Sequence, residues 1–204
     1  MTETGRTEAV KAFLGAVRLG FEGSSPQAQT RACLARVFDR LSDPVVADNV
    51  PAARVPTSDL IDQALQPALQ ADETMAALAG CLRKLDPDLP WRMRGGKDVQ
   101  PGETGPTTIA NAMIVGPGGL EERRDVWVGV SLVPPGVRYP DHRHSPEEIY
   151  LFLTGGRFRH GESGWFEPGV GGSLYNEPNI QHSMEAPADA PLLAVWCLYD
   201  PRHA

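Results

Sequence analysis

Apolar positions recur at helical spacing through the first 88 residues, and after that in short alternating or continuous runs. Val10, Phe13, Leu14 and Val17 trace one amphipathic helix, and Leu34, Val37, Phe38 and Leu41 a second. Ser25-Pro26 reads as the cap and first turn of that second helix. A third helix is expected from about Ser58 to Leu85, with Leu60, Ile61, Ala64, Leu65, Ala68 and Leu69 on one face and a kink or interruption at Pro67. Ser42–Pro56 reads as a connecting loop. From Asp86-Pro87 onward, Pro and Gly pairs arrive every several residues, and the runs between them read as strands: 108–115, 126–133, 148–153, 164–166, 173–175 and 192–199. The expected architecture is mainly β: an N-terminal α-helical region, 1–88, packed on an antiparallel barrel or sandwich, 89–204.

At 204 residues the chain has room for one well-packed domain with a helical extension. A formal charge of −7, and no basic cluster beyond pairs such as Arg123-Arg124, argues against a nucleic-acid or anionic-membrane surface. A small molecule is the expected partner. The longest apolar runs, 192–199 and 149–153, are too short to span a bilayer and suit buried strands. With no secretion signal legible at the N-terminus, the expected location is the cytoplasm. Cys33, Cys81 and Cys197 are far apart and form no C-x-x-C pair, which fits reduced, buried thiols.

Chemistry concentrates between Gly136 and Gly155, GVRYPDHRHSPEEIYLFLTG. His142 and His144 share one face of an extended segment, as do Glu148 and Tyr150. His182 is the further histidine in the strand-rich half that falls suitably downstream. Imidazoles with one carboxylate suit a divalent transition ion while leaving positions open for water or substrate, the pattern of a catalytic site. Glu147 reads as an outward-facing neighbour, His160 as a surface or barrel-rim residue, and His203 as part of a tail.

The spacing Gly136-x5-His142-x-His144-x3-Glu148-x6-Gly155 matches the first cupin motif at every fixed position, and the chain resembles the cupin superfamily. The second cupin motif is degenerate in WFEPGVGGSLYNEPNIQH, where Asn179 stands at the usual glycine and Ala186 at the usual asparagine, but it supplies His182. With Tyr139, His142, His144, Glu148, Tyr150 and His182 behind a helical N-terminal region, the chain is similar to the cupin-type dimethylsulfoniopropionate (DMSP) lyases of marine bacteria, most nearly the Q type. That resemblance implies a jelly-roll barrel and one bound divalent metal, with Fe, Zn or Mn placed ahead of Co and Ni. It also implies cleavage of DMSP to dimethyl sulfide and acrylate by a tyrosine-initiated β-elimination.

On that reading His144, Glu148 and His182 hold the ion. His142 stands as a fourth metal residue, either a ligand or a neighbour of the ion. Tyr150 is the expected base, because a nearby cation favours its phenolate. Tyr139 has the opposite strand parity from His142 unless Pro140 breaks the register, while the resemblance places a second active-site tyrosine there. Trp165, Trp196 and Phe152 are candidate walls for a sulfonium cation. Two other readings stay open: a cupin metalloenzyme of different reaction, such as an Fe-dependent dioxygenase or an isomerase or lyase of another small acid, and a non-catalytic small-molecule-binding cupin. The N-terminal helices cover the barrel's apolar face in any of these readings, and offer a lid or a homodimer surface.

Overall fold

The structure, a computed structural model, describes residues 6–43, 50–94 and 108–203. Among the described residues, four helices precede the sheets: α1 Glu8–Gly23, α2 Ala28–Leu41, α3 Ile61–Leu69 and α4 Glu73–Leu85. Thr7 caps α1 by accepting the Val10 N–H. The second helix starts two residues later than Ser25-Pro26 suggests, because Ser25 adopts a left-handed turn (φ 52°) and Gln27 becomes the N-cap. The single helix expected over 58–85 is three pieces, a 3-10 turn at Pro56–Leu60 followed by α3 and α4. Pro67 sits inside α3; the break comes at Gln70–Asp72, where Asp72 accepts from the Met75 N–H and starts a new helix. Of the expected loop Ser42–Pro56, residues 44–49 lie outside the described residues.

Nine strands follow among the described residues: β1 Arg92–Met93, β2 Ala110–Val115, β3 Val126–Val133, β4 Arg138–His142, β5 Glu147–Phe152, β6 Arg157–His160, β7 Ser173–Asn176, β8 His182–Glu185 and β9 Leu192–Tyr199. They form a six-stranded sheet in the order β1-β2-β3-β9-β5-β7 and a three-stranded sheet in the order β4-β8-β6, with every named pairing antiparallel. This is the cupin-type barrel with N-terminal helices. The expected strand at 164–166 is reduced to a single bridge, Phe166 to Phe158.

The large sheet is buried on both faces, which is why β9 reads LLAVWCLY without alternation. Leu193, Val195 and Cys197 join Phe13, Val17, Phe21, Leu78 and Leu82 in the core between sheet and helices. The other face of β9 presents Leu192, Ala194, Trp196 and Leu198 to Phe158, Met184 and Tyr139 of the small sheet. Each fully buried large side chain contributes about 1.5–3 kcal/mol, so the helices and the barrel stabilise one another through a shared layer. Among the described residues, no helix is long and apolar enough to cross a membrane.

Glu147 points away from Glu148, as its parity requires, but α2 covers that face. Its carboxylate is buried and accepts from Arg36 Nε and Nη2, at 2.7 Å each, and from the Tyr175 hydroxyl at 3.0 Å. The expected surface charge is therefore a tie between the helical layer and β5.

Candidate metal centre

The small sheet carries two of the three histidines on neighbouring strands. His142 at the end of β4 pairs with His182 at the start of β8, and His144 follows β4 by two residues. Between Tyr139, which pairs with Met184, and His142 the register shifts: three steps along β4 oppose two along β8. This bulge at Pro140-Asp141 reverses the parity of Tyr139 and turns it inward. Its ring centroid lies 4.6 Å from that of His142.

Among the described residues, His142, His144 and His182 form a group in which one ligand atom from each lies within 4.8 Å of the others. Glu148 reaches across from β5, its Oε2 3.1 Å from His144 Nε2 and 3.2 Å from His182 Nε2. Each imidazole Nδ1 faces a backbone carbonyl two residues away: His142 to Pro140 O at 2.9 Å, His144 to Pro146 O at 2.9 Å and His182 to Ile180 O at 3.0 Å. A carbonyl only accepts, so Nδ1 carries the proton and the neutral ring has its lone pair on Nε2. Nε2 lone pairs of His144 and His182 set against a carboxylate oxygen repel unless a cation or a proton stands with them. Among the described residues, the Nε2 of His182 is moreover buried without a hydrogen-bond partner. The donor set thus fits a divalent ion, and the backbone carbonyls supply the orienting contacts that metal-bound histidines ordinarily have.

The electrostatics agree. Burial opposes a charge on Glu148, yet His144 and His182 together hold its carboxyl well below the usual carboxylate range. Burial likewise works against a charged His144, but the Glu148 carboxylate outweighs it and raises the imidazole. For His142, burial and then the neighbouring His182 lower the value to about 3, so it stays neutral and able to donate a lone pair.

A cavity of about 260 Å³ opens onto this group, lined by His142, His144, Glu148, Tyr139, Tyr150 and Trp196 among others. Tyr150, two residues beyond Glu148 on the same strand face, lies 6.1 Å between centroids from His182. Burial first and the Glu148 charge second push its phenol well above the ordinary value. Burial also raises Tyr139, where Arg94 and Asn111 pull the other way. Trp196 donates its Nε1–H to Ser131 Oγ at 3.0 Å, and Ser131 donates to Asn111 Oδ1 at 2.7 Å.

Two expected walls stand elsewhere. Phe152 is fully buried behind Tyr150, at 5.9 Å between centroids, and does not line the cavity. Trp165 lies among the guanidinium groups of Arg138, Arg157 and Arg159, at 5.0–5.3 Å, in a segment tied to β6 by the single bridge of Phe166 to Phe158. In their place Trp127 and Met113 line the cavity. The alternation Trp127-x-Gly129-x-Ser131 along β3 was the legible signal for Trp127. Arg92 and Arg94, in a two-residue strand and just beyond it, gave no periodic signal.

His160 is not a free rim residue. Its Nδ1 donates to Asn176 Oδ1 at 2.8 Å, and Asn176 Nδ2 donates to Glu148 Oε2 at 3.1 Å. Asn176 is fully buried and pairs with Glu148 across β7 and β5.

Two solved structures share this fold. The DMSP lyase DddQ from Ruegeria pomeroyi DSS-3 aligns with TM-score 0.71 and 22% identity, over 97% of this chain and 95% of that one. A structure described among DMSP lyases RdDddP and RnDddQII aligns with TM-score 0.66 and 22% identity, over 95% and 93%. No curated protein sequence matches significantly. The family profile described as dimethylsulfoniopropionate lyase matches residues 29–194, a span that holds the histidines, Glu148 and both tyrosines of the cavity. By that match the chain belongs to the DMSP lyase family.

Proposed function

We propose that this protein is a metal-dependent carbon–sulfur lyase that cleaves DMSP to dimethyl sulfide and acrylate. The observation that carries the reading is the convergence of imidazole lone pairs on Glu148 in a cavity that also holds two tyrosines, Tyr139 and Tyr150. His144, Glu148 and His182 would hold the ion, with His142 beside them, and Fe, Zn, Mn, Co and Ni all accept this mixed nitrogen and oxygen set. A bound divalent ion there supplies positive charge that favours a phenolate and offsets charge developing on the substrate carboxylate.

The chain's own groups do the rest. Tyr150 takes the proton from the carbon beside the carboxylate. The electron pair left behind forms the carbon–carbon double bond as the carbon–sulfur bond breaks. Dimethyl sulfide departs as a neutral molecule with the bonding pair, acrylate keeps the carboxylate, and the proton on Tyr150 returns to solvent. Tyr139, fixed between His142 and the Arg94 cation, is a second tyrosine placed to contact the substrate. Trp127 and Trp196 give the onium end an aromatic wall.

The test is direct: full-length protein loaded separately with Fe(II), Zn(II) or Mn(II) is given DMSP, and headspace dimethyl sulfide is measured. Release that chelator abolishes and Tyr150→Phe reduces by at least about 100-fold supports the proposal. A signal no greater than that of the Tyr150→Phe protein with every metal overturns it.

A further inference from the structure

A row of polar side chains crosses the inner face of the large sheet beside the histidine group. Asn111 on β2 and Ser131 on β3 are cross-strand partners, and Ser131 shares its face with Gly129, the partner of Trp196 on β9. A Cβ at position 129 would lie 2.4 Å from the Trp196 ring, so the glycine lets the indole lie over β3 and bring its Nε1–H to Ser131 Oγ at 3.0 Å. Donor and acceptor roles then follow in one order. An indole N–H only donates, so Ser131 Oγ accepts there and turns its own hydrogen to Asn111 Oδ1, at 2.7 Å. With its carbonyl taken by Ser131, Asn111 presents its amide the other way, and Nδ2 stands 3.5 Å from the Tyr139 hydroxyl oxygen. An amide N–H also only donates, so the Tyr139 oxygen accepts on that side and its O–H is turned away from Asn111. Tyr139 lines the cavity, its ring centroid 4.6 Å from that of His142. The direction of one phenolic hydrogen at the cavity is thus set by an indole on another strand, through two intervening side chains.

We infer that Asn111 is a positioning residue: backed by Ser131 and Trp196, it holds Tyr139 with its O–H turned into the cavity, as a hydrogen-bond donor to the carboxylate of a ligand seated at the histidine group. A hydroxyl with an apolar neighbour in place of Asn111 is free to turn, and that freedom is lost when a ligand binds. The row removes it beforehand, so less is lost on binding. The same fixed donor meets the negative charge that builds on the carboxylate when the adjacent carbon gives up its proton. The choice of DMSP as the ligand rests on the lyase reading; the polarity of the row does not.

Calorimetric titration of the full-length, Zn(II)-loaded protein with propionate reads the effect without turnover. Asn111→Leu and Ser131→Ala should each weaken propionate binding about 3- to 10-fold, and Ser131→Thr, which keeps the hydroxyl, should recover most of the affinity. In a Tyr139→Phe background, which lacks the phenolic oxygen, Asn111→Leu or Ser131→Ala should change the affinity by less than about 2-fold, because the row then has nothing to orient. A merely structural role would weaken binding in both backgrounds alike. If Asn111→Leu does not fold, Ser131→Ala and Ser131→Thr decide the matter. Equal losses in both backgrounds, no loss in either, or no propionate binding by the unaltered protein overturns the inference. Losses that depend on Tyr139, in a protein that releases no dimethyl sulfide from DMSP, remove the lyase reading and keep Asn111 in this role. Release of dimethyl sulfide with losses that do not depend on Tyr139 does the reverse.

Discussion

Asn176→Ala is the perturbation that probes most sharply how the fold holds its candidate ligands. In the native chain the His160 ring, set between Phe158 and Phe166 at 5.7 and 5.8 Å, donates to the Asn176 carbonyl, and the Asn176 amide donates to Glu148. Removing the amide takes one donor from a fully buried carboxylate, and a hydrogen bond to a charged group contributes about 1.5–3 kcal/mol. His160, which is only partly buried, can turn its freed N–H to water, so its share of the loss is small. With the orienting contact gone, Glu148 samples positions away from His144 and His182, and outer contacts of this kind are worth about 10–100-fold in metal affinity. The expected result is therefore a 10–100-fold weaker Zn(II) affinity, read by chelator competition, with about 1.5–3 kcal/mol less stability in chemical denaturation. Asn176→Asp, which sets a second carboxylate against Glu148, should be worse in the metal-free protein and partly recovered by added metal. Unchanged Zn(II) affinity in Asn176→Ala, in a protein that folds, would refute the reasoning.

Glu147→Gln should lower the unfolding free energy by about 1–2 kcal/mol, a figure discounted because the Arg36 side chain is 42% exposed, and should shift the thermal midpoint by a few degrees; a shift below about 1 °C counts against the tie between α2 and β5. Gly129→Ala places a methyl group into the Trp196 ring and the Ala112 carbonyl, so Trp196 must leave Ser131; the near-ultraviolet circular dichroism of tryptophan should change, with a loss of about 1–3 kcal/mol, and an unaltered spectrum would contradict this packing. Asp125 is held below the usual carboxylate range mainly by its hydrogen bonds from Arg123, so its contribution is present above the unfolded value of about 3.9 and lost as pH falls through the folded one. Asp125→Asn should therefore narrow the stability difference between about pH 6 and about pH 3, and an equal difference in both proteins would exclude that linkage.

The helices over 8–41, and the strands Val126–Val133 and Leu192–Tyr199, were legible because a buried face imposes its period on the chain, and the runs there are long enough to display it. The three short strands of the small sheet were not legible. RYPDH, RFRH and HSME are only four or five residues long and carry Arg, His and Pro, so the few apolar residues that pack against β9, Tyr139, Phe158 and Met184, are too sparse to display an alternation. A local pattern also identified His142, His144 and Glu148, since residues on one or two adjoining strands keep their spacing in sequence and in space alike. Trp165 and Phe152 were misplaced as cavity walls for the opposite reason: which aromatic side chain reaches the cavity depends on a loop tied to β6 by one bridge and on a ring stacked behind Tyr150.

What the chain determined by itself is the set of elements and the histidine-carboxylate spacing, because these follow from local periodicity and from glycine-bounded turns. Tertiary structure decided everything that needs two distant segments to meet. It turned Tyr139 inward through a bulge that sequence parity alone argued against, buried Glu147 under a helix 111 residues away, and set Arg94 over Tyr139. It also joined His160 to Glu148 through an asparagine on a third strand. Each of these depends on strand register and layer packing, and register is fixed by the summed burial of both sheet faces rather than by any one residue's neighbours.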